Sequence, residues 1–256
     1  MIYITSDFHL FHENIMTYCN RFTPDRTCIE EYQDDLFYYL SNLFKPEDTL
    51  IYLGDLACSR EKSLEGCKKY LNLLKCEKHF IRGNHDNWLS NEDILSLGFK
   101  SCRDYIRIDN TLICHYSLDV PYGTFGQYKR HEYLWNLFYE NPNIHKIYHG
   151  HNHNSPLRGS ERVDGKTIIR KNSPKGEILM EYVNCCIDKI PYEFNVVEFK
   201  DYHSDTLKNI LRSNKCEFVT ENFKHTQDIQ NSDANPVGLN SDTKIENLNI
   251  WNNQRI

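Results

Sequence analysis

Short apolar runs that stop at a polar, metal-capable residue recur along this chain, and they limit its fold more than any other feature. The strand-sized runs are Ile2–Thr5, Leu50–Leu53, His79–Ile81 and Ile147–His149. Apolar residues recur at three- and four-residue steps over 29–43 and 64–74, which is the period of a helix. Alternating strands and helices predict an α/β sheet. The carboxyl ends of its strands meet in one crevice, so the residues that follow them are candidates for a shared site.

A hairpin comes after the first strands. Tyr105–Ile108 and Thr111–Cys114 are strand-sized and flank Asp109-Asn110, a pair that tolerates the backbone angles of a tight turn. The chain therefore enters a second, partly antiparallel sheet. Cys185 and Cys186 lie in a later apolar run, where strand neighbours point to opposite faces, so we expect two core residues and not a shared metal site.

The length of the chain allows one large domain with its own core, at 256 residues. We place this domain at 1–203. From 204 to 256 the sequence is rich in Asn, Ser, Asp and Lys without a sustained period, which predicts a disordered or weakly ordered tail. The formal net charge of -6 gives no overall basic field that would attract nucleic acid or a membrane.

The cysteines and the first residues indicate an intracellular protein. The 10 cysteines include no C-x-x-C pair, and a chain of this length does not need disulfides to fold, so we expect reduced thiols. The opening MIYITSDFHL lacks the basic start of a signal peptide and is typical of a buried strand. No run approaches the ~18 apolar residues of a membrane helix. The expected location is cytoplasmic, without a membrane partner.

The residues after the strand-like runs have the chemistry of metal ligands. They are Asp7-x-His9, Gly54-Asp55, Gly83-Asn84-His85-Asp86, His115 and Gly150-His151-x-His153. Alternation along an extended segment would point Asp7 and His9 the same way, and a carboxylate such as Asp55 has two oxygens with which to bridge two cations. Each histidine alone has an ordinary structural explanation. The combined set suits borderline divalent metals.

These motifs are similar to the signature of calcineurin-like metallophosphoesterases, and the resemblance spans residues 1 to about 190. DFHLFHENIMTYCNRF resembles the D-x-H-x-x-H-x-N opening of compact bacterial and phage-type members, and VNCCIDKIPYEFNVVEF resembles their closing strand. The segment 154–181 and the Asn-rich tail depart from that pattern. The resemblance implies a four-layer α/β/β/α sandwich, in which two mixed β-sheets are flanked by helices.

The resemblance also implies a dinuclear centre that hydrolyses a phosphate ester through a metal-bridging hydroxide. Its ligands would be Asp7, His9 and His153 for one ion, Asn84, His115 and His151 for the other, and Asp55 between both. The ions would be two divalent metals, with manganese favoured over iron, zinc, nickel or cobalt. His85 would act on the leaving-group side, with Asp86 holding its ring.

Several further residues are candidates for binding substrate. His12, Asn14 and Arg21 follow the first ligand pair and suit phosphate oxygens, although an ordinary surface loop explains them equally well. A basic segment could contact a nucleotide or a nucleic-acid backbone, while solvated hairpin charges are the alternative. Its residues are Arg158, Arg162, Lys166, Arg170, Lys171 and Lys175.

The motifs leave open which ester is cleaved. A phosphodiester is favoured, and a phosphomonoesterase or protein phosphatase on the same centre is the main alternative within enzymes. A catalytically silent metal-binding scaffold is the alternative outside them, and it would be expected to have lost ligands that this chain retains. Structural zinc sites favour closed sets that include Cys, and no cysteine falls among these ligands.

Overall fold

A computed structural model gives the fold of the chain, and all of its described residues lie within Met1–Val219. The described residues are 1–57, 63–118, 132–134, 136–137, 141, 143–157, 159–164, 166–173, 176–190, 192–200 and 204–213. The helices are α1 (Glu13–Tyr18), α2 (Ile29–Leu43), α3 (Ser63–Leu71), a 3-10 turn (Asn84–Asp86), α4 (Asn91–Ser96) and α5 (Ser204–Arg212). Among the residues that the structure describes, no helix is long and apolar enough to cross a membrane.

The strands form two sheets. They are β1 (Ile2–Thr5), β2 (Thr49–Tyr52), β3 (Glu77–Ile81), β4 (Ser101–Arg103), β5 (Tyr105–Ile108), β6 (Thr111–Cys114), β7 (Lys146–His149), β8 (Ser160–Val163), β9 (Lys166–Ser173), β10 (Gly176–Asn184) and β11 (Val197–Glu198). The first sheet has the order β11-β1-β2-β3-β4 and the second β5-β6-β7-β10-β9-β8. Strands β1 to β4 pair in parallel, while β11 is antiparallel to β1.

The second sheet is also mixed. Strands β6, β7 and β10 pair in parallel, and β5, β9 and β8 are antiparallel to their neighbours. The predicted hairpin is confirmed, because Ile108 pairs with Thr111 across the turn. The predicted four-layer class of fold, with two mixed sheets flanked by helices, is confirmed as well.

Three apolar clusters separate the layers. Leu36 and Phe37 of α2 belong to the cluster on the outer face of the first sheet. Ile4 of the first sheet and Ile113 of the second belong to the cluster between the sheets. On the outer face of the second sheet, Leu112 packs in a cluster that includes the buried residue Leu134. Because successive strand residues face opposite sides, Leu112 and Ile113 serve different layers.

The packed chain continues past the predicted end of the domain at 203. Leu207 and Leu211 of α5 are buried in the cluster between the sheets. Arg103 Nη2 donates to the carbonyls of Ile210 at 3.0 Å and Ser213 at 2.8 Å. The polar composition after 204 hides this helix, because only its apolar face enters the core. Residues 214–256 of the predicted tail lie outside the described residues.

The segment 154–181 supplies β8, β9 and part of β10 at one edge of the second sheet. Of its basic side chains, Arg162 donates to Thr167 Oγ1 at 2.8 Å and Lys166 to Glu181 Oε2 at 2.7 Å. Arg158 and Lys175 lie outside the described residues. The predicted nucleic-acid contact of this segment stays a prediction.

Candidate metal centre

The turn after β1, which carries Asp7 and His9, has a different backbone conformation from the one predicted. An extended segment was expected, but Asp7 has a φ of 60° and His9 a φ of 49°, both left-handed. Such a conformation costs an L-residue roughly 1–2 kcal/mol. Hydrogen bonds hold it, since Asp7 N donates to Gly54 O at 3.0 Å and His9 N to Asp55 O at 3.1 Å. The strand-end loops therefore fix each other's shape.

Asp7, His9 and His153 form a cluster that we call the Asp7 group. Their candidate ligand atoms lie within 4.8 Å of one another. The Asp7 Oδ1 atom is 3.7 Å from His9 Nε2 and 3.8 Å from His153 Nε2. Ligand atoms that are each ~2.1 Å from one divalent ion are separated by roughly 3.0–3.4 Å. The Asp7 group is therefore close to the size needed for one ion.

Asp55, His115 and His151 form a second cluster, which we call the His115 group. His115 Nε2 lies 3.3 Å from Asp55 Oδ2 and 3.1 Å from Asn84 Oδ1. Asp55 Oδ2 is also 3.7 Å from His9 Nε2, so this carboxylate lies between the two groups. The structure thus brings together all seven residues that the sequence analysis selected as ligands.

Two glycines leave room for the carboxylates. A Cβ atom on Gly83 would lie 2.1 Å from Asp55 Oδ1, and one on Gly150 would lie 2.6 Å from Asp7 Oδ2. The Asp7 carboxylate accepts from the Ser6 hydroxyl and, at 3.0 Å, from His151 N. The glycines of the G-N-H-D and G-H-x-H motifs are therefore required by close approach to the two carboxylates.

The rings of His115 and His153 are held by their Nδ1 atoms. His115 Nδ1 donates to the carbonyl of Leu53 at 2.6 Å, and His153 Nδ1 donates to Asp188 Oδ2 at 2.8 Å. These bonds leave each Nε2 facing the carboxylates, as a metal-binding imidazole requires.

The electrostatics of the cluster favour bound cations. Burial opposes charge on Asp55, but the neighbouring His115 ring lowers the pKa of the carboxyl to about 2. Burial alone would lower the pKa of His115, yet the Asp55 carboxylate raises it to about 9. The pKa of Asp7 is well below its ordinary value because of the surrounding histidines, despite its burial. Divalent ions would replace the protons on these rings, so the donor set fits the metals that the resemblance implies.

His85 and Asp86 have different surroundings. The His85 side chain is exposed, its ring centroid is 5.2 Å from that of His9, and its backbone N donates to Asp55 Oδ1 at 2.8 Å. Asp86 was predicted to hold this ring. Instead, the buried Asp86 carboxylate accepts the backbone amides of Asp55, Leu56 and Gly83 at 2.7 to 3.0 Å. Asp86 therefore ties the loops after β2 and β3 together.

The three predicted substrate residues lie in different places. The His12 ring centroid is 5.6 Å from that of His9, and burial beside other positive groups lowers the His12 pKa to about 4. Asn14 is exposed in the first turn of α1. Arg21 is 3% exposed, and its guanidinium contacts Asp188 and two backbone carbonyls. Its donors are directed into the protein, which differs from the predicted phosphate pocket.

Sequence reasoning missed Asp188. The signal was present, because Asp188 follows an apolar run just as the predicted ligands do. Cys19 forms a further cluster with His153 and Asp188, but burial raises the pKa of its thiol, and a neutral thiol is a poor ligand. Cys186 is fully buried as predicted, and its sulfur accepts His153 N at 3.1 Å.

An Asp/His cluster at the strand ends of two mixed sheets is typical of metal-binding α/β proteins, because ligands bind in the crevice outside the carboxyl ends of the strands. The family model for calcineurin-like phosphoesterases matches residues 1–184. The chain therefore belongs to the calcineurin-like phosphoesterase family. The family model describes phosphoesterases, and the Asp7 and His115 groups are candidate sites for metal ions.

The chain is similar to proteins of several organisms. It is 39% identical over 87 residues to the uncharacterized protein MJ1445 of Methanocaldococcus jannaschii. The aligned segment covers 34% of this chain and 47% of that protein. A protein of unknown function, AQ665 from Aquifex aeolicus, matches with a TM-score of 0.49 and 20% identity over 82% of this chain and 98% of that one. Phosphopantetheinyl hydrolase from Mycobacterium tuberculosis matches with a TM-score of 0.34 and 12% identity over 79% and 96% of the two chains. The chain spans about half the length of the curated relative that it matches.

Proposed function

We propose that this protein hydrolyses a phosphodiester at a centre of two divalent ions, manganese being the favoured metal. The Asp7 group would hold one ion, and the His115 group with Asn84 the other. The observation that carries the proposal is the position of Asp55, whose Oδ2 atom is 3.7 Å from His9 Nε2 and 3.3 Å from His115 Nε2. One carboxylate within reach of both groups is the arrangement that a bridged pair of ions needs.

The chain's own residues support the chemistry of such a centre. Bound ions would supply a hydroxide at neutral pH and would clamp the phosphoryl oxygens. Asp7 and Asp55 contribute two negative charges against the four positive charges of two divalent ions, so the loaded site attracts phosphate. His85 is exposed beside His9, where its ring can donate a proton to the leaving alkoxide.

The surroundings of Arg21 favour a diester over a monoester. A monoester carries one more negative charge, and an arginine fork is the side chain best suited to neutralise it. The Arg21 guanidinium is paired instead with Asp188 at 2.6 Å and is 3% exposed. Arg21, which was predicted to bind phosphate oxygens, is therefore not available to neutralise the additional charge of a monoester.

The test is hydrolysis by metal-stripped protein refilled with manganese, using bis(para-nitrophenyl) phosphate, para-nitrophenyl phosphate and 2′,3′-cyclic nucleotides side by side. We expect the diester to be cleaved with the highest kcat/KM, and EDTA to abolish turnover. Faster cleavage of the monoester would contradict the choice of substrate. Metal bound without turnover of any ester would support the silent scaffold, and refilling with iron, zinc, nickel or cobalt would test the choice of metal.

A further inference from the structure

A buried ion pair contacts the Asp7 group at the Nδ1 atom of His153. Asp188 is 5% exposed, and its Oδ2 atom accepts from Arg21 Nε at 2.8 Å and from Arg21 Nη2 at 2.6 Å. The same carboxylate accepts from His153 Nδ1, at 2.8 Å to Oδ2 and 3.0 Å to Oδ1. Asp188 therefore joins an arginine to a candidate metal ligand.

The arginine connects this pair to the other ligand loop. Arg21 Nη2 donates to the Asp7 carbonyl at 2.7 Å, and Nη1 donates to the Phe8 carbonyl at 2.8 Å. Its guanidinium also makes a cation–π contact with Tyr32, with Cζ 4.8 Å from the ring centroid. One guanidinium and one carboxylate thus fix the Asp7-x-His9 turn and the His153 ring relative to each other.

We propose that Asp188 is a positioning residue that sets the metal affinity of the Asp7 group and leaves that of the His115 group unchanged. The proposal rests on the two-ion centre of the proposed function. The Asp188 carboxylate fixes the Nδ1–H tautomer of His153, so that Nε2 presents its lone pair toward Asp7, and it makes the ring a stronger donor. Arg21 keeps Asp188 ionised and in place, since burial of an unpaired carboxylate would be unfavourable.

The selectivity follows from the contacts of the other group. His115 is held by the main-chain carbonyl of Leu53 at 2.6 Å. No side chain of the Asp188 pair takes part in that bond. Removal of a carboxylate that orients a metal-binding histidine typically weakens metal binding about 10- to 100-fold. We expect a loss of this size in one of the two affinities.

The experiment is a manganese titration of metal-stripped protein that resolves two dissociation constants, with the wild type beside Asp188→Ala and Asp188→Asn. The Asn side chain keeps an oxygen that can accept from His153 and loses the charge. The matched control is Asp48→Asn, a carboxylate that is 2% exposed and accepts the Met1 ammonium and Lys45 N at the opposite end of β1. Circular dichroism checks that each variant is folded.

The expected result is a 10- to 100-fold larger dissociation constant for one ion in Asp188→Ala. The affinity should recover in part in Asp188→Asn and should not change in Asp48→Asn. If both constants stay at the wild-type values, or if both weaken equally in a folded Asp188→Asn protein, the proposal is wrong. The titration reads binding alone. A wild type that binds two ions and cleaves no ester would therefore overturn the proposed function without affecting this inference.

Discussion

The two halves of the candidate centre hold their histidines by different means. In the His115 group the ring donates to the main-chain carbonyl of Leu53, whereas in the Asp7 group the His153 ring donates to the side chain of Asp188. A main-chain acceptor is fixed by the sheet and survives any substitution of its own side chain. A side-chain acceptor needs its own partner, here Arg21. For the proposed two-ion centre, we therefore expect the affinity of one ion to depend on the side chains of Asp188 and Arg21, and that of the other on the main chain beside β2.

The largest effect is expected from Asp55→Asn, which removes the charge shared by both groups. We expect turnover to fall by about 10³-fold or more and at least one ion to be lost, because the carboxylate is within reach of both groups. Metal analysis of the purified variant, together with turnover of bis(para-nitrophenyl) phosphate, measures both changes. A variant with two ions and near wild-type turnover would show that the groups do not share Asp55.

His85→Ala should separate turnover from metal binding. His85 is exposed and contributes its backbone amide to Asp55, a bond that the substitution leaves in place. We expect turnover to fall by roughly 10²–10⁴-fold with both ions retained, as for the loss of a proton donor. The control is His145→Ala, an exposed histidine just before β7, which should leave turnover unchanged. Parallel loss of metal would contradict the role of His85.

Two glycine substitutions are expected to affect the two groups differently. In Gly83→Ala the new Cβ would meet Asp55 Oδ1 at 2.1 Å, so we expect both affinities to weaken by ~10-fold or more. In Gly150→Ala it would meet Asp7 Oδ2 at 2.6 Å, so we expect only the Asp7 group to weaken. Manganese titration measures the two constants.

The control for both glycines is Gly159→Ala. Its Cβ would meet nothing within 4 Å, although a φ of 69° makes the substitution costly to the backbone. Both affinities should stay at the wild-type values in this variant. Equal weakening in Gly83→Ala and Gly150→Ala would contradict the assignment of Asp7 to one group.

The smallest effect on the centre is expected from Leu207→Ala in α5. Leu207 is 0% exposed, so the substitution should lower the free energy of unfolding by about 2–5 kcal/mol while leaving both metal affinities unchanged. Urea denaturation measures the change, with Leu95→Ala, at a side chain that is 49% exposed, as control. An unchanged free energy of unfolding would show that the domain is complete by residue 203.

The positions of the candidate ligands could be read from the sequence, because each follows an apolar run that is readable as a strand. The backbone conformation that positions them could not be predicted. His151 has a φ of 69° and His153 a φ of 49°, like the left-handed turn after β1. Those angles depend on hydrogen bonds between loops that are distant in sequence, such as that from Asp7 N to Gly54 O. Local alternation selected residues that the fold brings together, but the extended conformation expected for Asp7 and His9 is wrong.

The partners of buried charges were the other part that the sequence could not supply. Arg21 and Asp188 are separated by most of the domain, and only the fold brings them to 2.6 Å. Asp86 adjoins His85 in the chain, yet its carboxylate binds backbone amides of another loop. Residue type indicated that these charged side chains would make polar contacts. The packing of the strand-end loops determines which partner each of them contacts.

Electron paramagnetic resonance of the manganese-loaded protein tests whether two ions share Asp55. Two ions bridged by one carboxylate, roughly 3.5–4 Å apart, give an exchange-coupled signal. We predict two manganese ions per chain with a coupled spectrum, which becomes that of isolated ions or of one ion in Asp55→Asn. One ion per chain at saturation, or two ions without coupling in the wild type, would contradict the account.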